Sequence, residues 1–91
     1  MASLEEQLEG VYADAVRFAR GLAGSPEDGD DLLQEALVRA WRGYPRLRDP
    51  ARFRFWLLRI VGNVYRTWAR RRALRRWLSL EVVRDVPVEP G

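Results

Sequence analysis

Three runs of apolar residues at helical spacing, each preceded by a helix-start signal, constrain the fold more than any other feature of this sequence. One signal has the spacing of a capping box, and the other two place a capping residue directly before a proline, which suits the first helical turn. No segment has the alternating pattern of a strand, so the sequence predicts an all-α fold. The signals are Ser3 with Glu6, Ser25 with Pro26, and Asp49 with Pro50.

Two glycines mark where the first two helices should end. Gly24 and Gly43 each follow a run of apolar residues, in the position that glycine favours after a helix. The third helix is predicted from about Ala51 to the mid-seventies, and its interior Gly62 suggests a close backbone contact. We expect a compact three-helix bundle, with a short fourth helix at the C-terminus as the alternative.

The apolar residues of each run predict which side faces the core. A chain of 91 residues is long enough for one domain. We predict that this domain covers residues 1–84, and that residues 85–91, which contain two prolines, form a disordered linker or tail. The inward residues are predicted to be Leu4, Leu8, Val11, Tyr12, Ala15, Phe18, Ala19 and Leu22 in the first helix, Leu33, Leu37, Ala40 and Trp41 in the second, and Phe53, Trp56, Leu57, Ile60, Val64 and Trp68 in the third.

Composition argues against an enzyme. The chain has no cysteine and no histidine, so thiolate metal sites, disulfides and the commonest general base are excluded. The acids Asp28, Asp30 and Asp31 crowd the start of the second helix, where the helix dipole explains them without a metal. We therefore expect no catalytic residue, metal or cofactor. No signal peptide or membrane-spanning run is evident, which favours the cytoplasm.

Charge is distributed very unevenly along the chain. Residues 1–38 contain nine acids and two arginines, whereas residues 39–76 contain thirteen arginines and a single acid, Asp49. Such asymmetry suggests two surfaces with different partners. The alternative is that the two halves neutralise each other within one bundle.

One candidate surface lies on the second helix. Asp31, Gln34, Glu35 and Val38 follow each other at spacings that place them on one stripe, which we call the acidic stripe. Two carboxylates, an amide and an aliphatic side chain could receive a partner helix that carries Arg or Lys. An ordinary solvated helix face is the competing interpretation.

A second candidate surface, which we call the basic face, lies on the third helix. Helical spacing brings four arginines and one asparagine together, away from the core side. Arginine neutralises phosphate and pairs with guanine, and asparagine pairs with adenine. Their excess over nearby acids favours nucleic acid over internal neutralisation. The residues are Arg52, Arg59, Asn63, Arg66 and Arg70.

The loop between the second and third helices mixes aromatic and basic residues. Aromatic faces stack on bases and arginines hold phosphates, as single-stranded nucleic acid requires. Helical phase assigns Phe53 and Trp56 to the core instead. We therefore expect the exposed members to be Tyr44, Arg46, Arg48 and Phe55.

Two motifs resemble region 2 of the extracytoplasmic-function (ECF) sigma factors of bacteria. The stretch Gly24–Trp41, with Asp-Leu-Leu-Gln-Glu at residues 31–35, is similar to that family's polymerase-binding helix. The segments Phe55–Asn63 and Trp68–Arg72 are similar to its promoter-melting and recognition helix. The similarity covers about residues 8–80, with both motifs in the family's order.

The resemblance implies a function for each surface. Asp31, Gln34 and Glu35 would dock on the clamp helices of the largest subunit of core RNA polymerase. The loop from Tyr44 to Arg48 would capture a flipped non-template base of the minus-10 element, and the basic face would hold promoter DNA. An anti-sigma protein is a further partner that this interpretation allows.

The family's second domain, which reads the minus-35 element, is not expected here, because the tail after residue 84 is too short to hold it. The chain would then be an isolated domain or a truncated relative. Two other functions remain open. One is a general arginine-rich nucleic-acid module without a polymerase partner. The other is a membrane-surface protein, against which the core stripe and the capped helices argue, so no membrane partner is expected.

Overall fold

The computed structural model describes the backbone of residues 2–88 and the side chains of residues 2–79. Three α-helices follow one another, α1 (Leu4–Ala23), α2 (Pro26–Gly43) and α3 (Phe53–Val88). Two short 3₁₀ turns, Tyr44–Arg46 and Pro50–Arg52, form the connection between α2 and α3. The predicted all-α, three-helix fold is confirmed.

The predicted helix starts are capped as their residue types indicate. The Ser3 hydroxyl accepts the Glu6 N–H, and the Glu6 carboxylate accepts the Ser3 N–H, which completes the capping box. The Ser25 hydroxyl accepts the Asp28 N–H at the start of α2. At the end of α1, Gly24 adopts φ 88°, a left-handed conformation that glycine takes without strain.

The third helix is longer than the sequence predicted. It continues to Val88 instead of ending in the mid-seventies, and no separate fourth helix forms in the described part of the chain. No glycine or proline lies between Gly62 and Pro87, so nothing in that stretch interrupts a helix rich in Arg, Leu and Ala. The domain boundary at residue 84 and the disordered tail stay predictions. Residues 89–91 of that tail lie outside the described residues.

Small residues, rather than aromatic ones, form the middle of the α1–α2 contact. Ala15 and Ala19 of α1 and Ala36 and Ala40 of α2 are completely buried. Helices that meet through alanines approach closely, and large side chains beside the contact are displaced toward solvent. The complete core is Leu4, Ala15, Ala19, Leu32, Leu33, Ala36, Ala40, Phe53, Leu57, Val61 and Val64.

This packing overturns three of the predicted inward positions. Trp41 is 63% exposed, and Tyr12 and Phe18 are exposed as well. Conversely, Leu32 and Val61 are completely buried although the helical pattern did not assign them to the core. The stripe that each helix buries is rotated toward its small residues, because these permit the closest approach of the backbones.

The backbones of α1 and α2 approach each other closely at Gly29. A Cβ atom built on Gly29 would lie 2.5 Å from the Arg20 Cα atom, so only glycine fits without a shift of the backbone. Beside it, the Arg20 guanidinium donates two hydrogen bonds of 3.0 Å to the carboxylate of Asp30. At Gly62, by contrast, a Cβ atom would meet nothing within 4 Å, so the expected close contact there is wrong.

The C-terminal part of α3 extends beyond the bundle. Trp68 is the last α3 side chain that packs against the core, and every side chain from Arg70 to Ser79 is exposed. A helix of 36 residues is about 54 Å long, and the molecule measures 65 × 26 × 15 Å. All sides of the helix are therefore exposed to solvent between Arg70 and Ser79.

Candidate functional site

The connection between α2 and α3 is held in place at the start of its second turn. The Asp49 carboxylate accepts the Ala51 N–H, which caps the turn Pro50–Arg52. From α1, the Gln7 side-chain amide donates a 3.1 Å hydrogen bond to the Pro50 carbonyl. These contacts hold the loop against the bundle at the point where α3 begins.

A pocket opens between this loop and the first turns of α3. It encloses about 260 Å³. Phe55 lies at its side and is 68% exposed. The lining residues are Leu47, Arg48, Asp49, Arg52, Phe55, Trp56 and Arg59.

The structure brings together four residues that the sequence predicted for nucleic-acid contact, Arg48, Arg52, Phe55 and Arg59. Leu47, Asp49 and Trp56 also line the pocket, although the sequence did not single them out as contact residues. Leu47 and Asp49 belong to the loop that was proposed as a surface, and Trp56 was assigned to the core. Trp56 is half-buried, and it both packs against the core and lines the pocket.

Tyr44 was predicted to be exposed, and this prediction is wrong. Its ring is half-buried and packs edge-on against Phe53, with ring centres 5.9 Å apart, and against Trp56 at 6.3 Å. Its hydroxyl donates a 2.6 Å hydrogen bond to the carbonyl of Ala2. Tyr44 thus supports the loop from behind, whereas Arg46 on the same 3₁₀ turn is exposed outside the pocket lining.

The predicted basic face is exposed along α3. Asn63, Arg66 and Arg70 all face solvent, on the same helix as the pocket residues Arg52 and Arg59. Arg66 donates a 2.7 Å hydrogen bond to the side-chain oxygen of Asn63. A two-bond contact from Asn63 to adenine would need that oxygen, so Arg66 would first have to turn away.

The basic surface continues onto the projecting segment. A hollow of about 210 Å³ is lined by Trp68 and three arginines, Arg71, Arg72 and Arg75. Three guanidinium groups around one hollow suit an anionic group such as a phosphate.

Internal neutralisation accounts for little of the basic charge. Among the side chains of residues 2–79, only Arg39 and Arg54 of the thirteen arginines in residues 39–76 form an ion pair. Arg39 pairs with Glu35, and Arg54 pairs with Asp14 of α1. Most of the arginines are therefore available to an external anion.

The acidic stripe is exposed except at one residue. Asp31 and Gln34 face solvent, and Val38 is 47% exposed. Glu35 is half-buried and turns toward α3, where its Oε1 atom accepts a 3.0 Å hydrogen bond from the indole N–H of Trp68.

Two carboxylates with lowered pKa values join α1 to the other helices. The Arg54 guanidinium, through its hydrogen bond, holds the pKa of Asp14 below its usual value, with Arg17 adding to the effect. The Arg20 guanidinium likewise lowers the pKa of Asp30. Within residues 2–79, carboxylates do not gather in groups of three or more that could hold a metal ion.

Comparison with known proteins shows the family of the chain. The family model for sigma-70 region 2 matches residues 9–80, which contain the acidic stripe, the pocket and the basic face. The chain belongs to the sigma-70 region 2 family.

Individual sigma factors match as well. The chain is 36% identical over 86 residues to the ECF RNA polymerase sigma factor SigE of Mycolicibacterium smegmatis, covering 92% of this chain and 33% of that protein. It is 40% identical over 60 residues to the probable RNA polymerase sigma factor RfaY of Xanthomonas campestris, covering 66% of this chain and 14% of the relative. It is 30% identical over 70 residues to EcfG of Rhodopseudomonas palustris, covering 77% and 39%. The sigma region 2 domain is thus of the ECF type.

The matched part spans less than two fifths of the length of each of these relatives. No solved structure gives a significant match. Within the described residues, no helix of this sigma region 2 domain combines the length and apolar character needed to cross a bilayer.

Proposed function

We propose that this sigma region 2 domain recognises and opens the minus-10 element of a bacterial promoter while it is docked on core RNA polymerase. The pocket between the loop and α3 carries the proposal, because it combines an exposed aromatic ring with three arginines. A base that leaves the duplex needs a flat apolar surface to stack on, and its phosphates need cations. The chain itself need perform no covalent chemistry in this role.

Different parts of α3 would contact different parts of the promoter. A flipped non-template base would stack on Phe55, and Arg48, Arg52 and Arg59 would hold the phosphates on either side of it. Asn63, Arg66 and Arg70 would contact the duplex upstream, with Arg46 reaching the strand from the loop. Tyr44, which is half-buried, would support the pocket rather than stack on the base.

The acidic stripe would face the polymerase. Its exposed members, Asp31, Gln34 and Val38, offer a carboxylate, an amide and an aliphatic contact to a helix that carries basic residues. The partner proposed from family membership is the pair of clamp helices in the largest polymerase subunit. The site of action would then be the bacterial cytoplasm, and an anti-sigma protein could compete for either surface.

Docking is tested by size-exclusion co-elution with bacterial core RNA polymerase. Wild-type chain should co-elute, and Asp31→Arg should reduce the bound fraction strongly, because it places a cation opposite the partner's cations. Glu9→Arg makes the same charge change on an exposed position of α1 and serves as the matched control. Equal loss in both variants would point to general electrostatics rather than docking by the stripe.

Base capture is tested with fork DNA that carries the fluorescent base 2-aminopurine at successive minus-10 positions. In the presence of core polymerase, wild-type protein should raise the fluorescence at one position, where the base leaves the stack. Phe55→Ala should abolish that signal and weaken binding by about fivefold or more, since stacking on one aromatic ring contributes about 1–3 kcal/mol. Phe18→Ala removes an exposed phenylalanine of α1 and should change neither.

A general nucleic-acid module is the second candidate, favoured by the number of arginines without an ion pair among the side chains of residues 2–79. It would bind DNA without core polymerase, with steep salt dependence and without preference for any minus-10 sequence. Failure of wild-type protein to bind core, together with such DNA binding, would replace the sigma function by this one.

A further inference from the structure

Glu35 differs from the other members of the acidic stripe because both of its carboxylate oxygens contact another side chain. Oε1 accepts the 3.0 Å hydrogen bond from the Trp68 indole, and Oε2 lies 3.5 Å from the guanidinium of Arg39. Among the side chains of residues 2–79, Asp31 and Gln34 form neither an ion pair nor a hydrogen bond of this kind. Glu35 is thus the member of the stripe that forms a hydrogen bond to α3.

Trp68 is the residue of α3 that donates this hydrogen bond to Glu35. It stands between Arg66 and Arg70 in the sequence but on the core-facing side of the helix, and its ring is half-buried against the core. The apolar contacts of the ring have little directional preference, whereas a hydrogen bond from the indole N–H to a carboxylate does. The Glu35–Trp68 bond therefore adds a directional contact between α2 and α3 to the packing of the core.

The two contacts of Glu35 differ in strength. The indole N–H can only donate a hydrogen bond. Loss of the Glu35 acceptor would leave this half-buried donor unsatisfied, which costs free energy. The Arg39 contact is a longer, partly exposed ion pair within one helix, which contributes little. A partner's cation could displace Arg39 from Oε2 while Oε1 keeps its bond to Trp68.

We propose that Glu35 is a positioning residue that sets the orientation of the basic face of α3 relative to the acidic stripe of α2, rather than a principal docking contact. The inference rests on the proposed function, because it links the two surfaces that this function uses. It assigns docking mainly to Asp31, Gln34 and Val38, and it adds Trp68 to the residues on which DNA contact depends.

Three substitutions separate positioning from docking. Glu35→Gln removes the charge but keeps an oxygen that accepts the indole N–H, Glu35→Ala removes the acceptor, and Trp68→Phe removes the donor but keeps a ring. Each protein is titrated into a fluorescein-labelled fork DNA with a randomised single-stranded arm, with binding followed by anisotropy. Co-elution with core polymerase is measured in parallel. Glu9→Ala, which removes an exposed carboxylate of α1, is the control.

If Glu35 positions α3, Glu35→Ala and Trp68→Phe should each weaken DNA binding by about three- to tenfold, as expected for one lost hydrogen bond. The double variant should be no weaker than either single variant, because both remove the same contact. Glu35→Gln should restore wild-type DNA affinity, and co-elution with core should change little in all of them. Circular dichroism and thermal unfolding confirm that each variant is folded.

Two results would overturn the inference. One is Trp68→Phe binding DNA as wild type does. The other is Glu35→Gln losing core binding as completely as Glu35→Ala, which would make the charge of Glu35 a docking contact. The proposed function fails separately, when wild-type protein does not co-elute with core. In that case the DNA titrations still decide whether Glu35 and Trp68 act as one unit.

Discussion

At Gly29, the addition of a single methyl group should lower the stability of the fold. A methyl group there would meet the backbone of Arg20 at 2.5 Å, and a backbone cannot rotate aside as a side chain can. We expect Gly29→Ala to destabilise the fold by about 1–3 kcal/mol, in the range of overpacked cores. Thermal unfolding should show this as a drop in the midpoint of about 4 °C or more.

Gly62→Ala is the matched control within α3. Its methyl group would meet no atom within 4 Å, so only the helix propensity changes, which favours Ala by up to about 1 kcal/mol. The midpoint should therefore stay the same or rise. A lowered midpoint for Gly62→Ala, or an unchanged one for Gly29→Ala, would contradict the packing described here.

These two glycines show what the sequence predicts at single positions and what it does not. Residue type predicted the caps at Ser3 and Asp49, because a cap depends on neighbours within three residues along the chain. The close approach at Gly29 depends on a second helix, and no local pattern indicates it. For the same reason Trp41 was predicted inward although it lies outside.

Among the elements, α3 combines the pocket, the basic face and a projecting arginine-rich segment. We expect the triple variant Arg71→Ala, Arg72→Ala, Arg75→Ala to bind DNA more weakly and with a smaller dependence on salt. Each lost phosphate contact should reduce the slope of log K against log salt by about 0.9 on duplex DNA. Titrations at a series of salt concentrations measure this slope. Arg17→Ala, which removes an arginine of α1 that is paired with Asp14, should leave the slope unchanged.

Helix boundaries were predictable where a cap or a glycine marks them. The ends of α1 and α2 agree with the signals at Gly24, Ser25 and Gly43 to within a residue. The far end of α3 carries no such signal before Pro87, and the prediction stopped where the apolar pattern did.

The pocket was predicted in part, because its arginines and Phe55 stand close together in the sequence. The Glu35–Trp68 bond spans 33 residues and was not predicted.

At the scale of the whole molecule, two ion pairs join α1 to the rest of the bundle and should make the free energy of unfolding depend on pH. The pKa values of Asp14 and Asp30 are lowered by Arg54 and Arg20, so the unfolded chain binds more protons than the folded one. The stabilisation is present above the unfolded pKa of about 4 and is lost as the pH falls through the lower folded values. Because both pairs are exposed, the effect should be modest.

Denaturant unfolding between about pH 7 and pH 2 checks this dependence. An Asp14→Asn, Asp30→Asn variant should be less stable than wild type at neutral pH, and the two should converge in acid, where the wild-type carboxylates are protonated. A constant difference over the whole range would mean that the substitutions act through packing instead.

The projecting part of α3 should be dispensable for folding but not for DNA binding. The side chains from Arg70 to Ser79 are exposed and do not pack on the core, whose last α3 contact is Trp68. A chain that ends at Ala73 should therefore unfold with a midpoint within about 4 °C of the full chain, equivalent to at most about 1 kcal/mol. It should bind DNA more weakly, because Arg75 and Arg76 are lost. A much larger fall in the midpoint would show that residues 74–91 stabilise the bundle and that the three helices do not form an independent core.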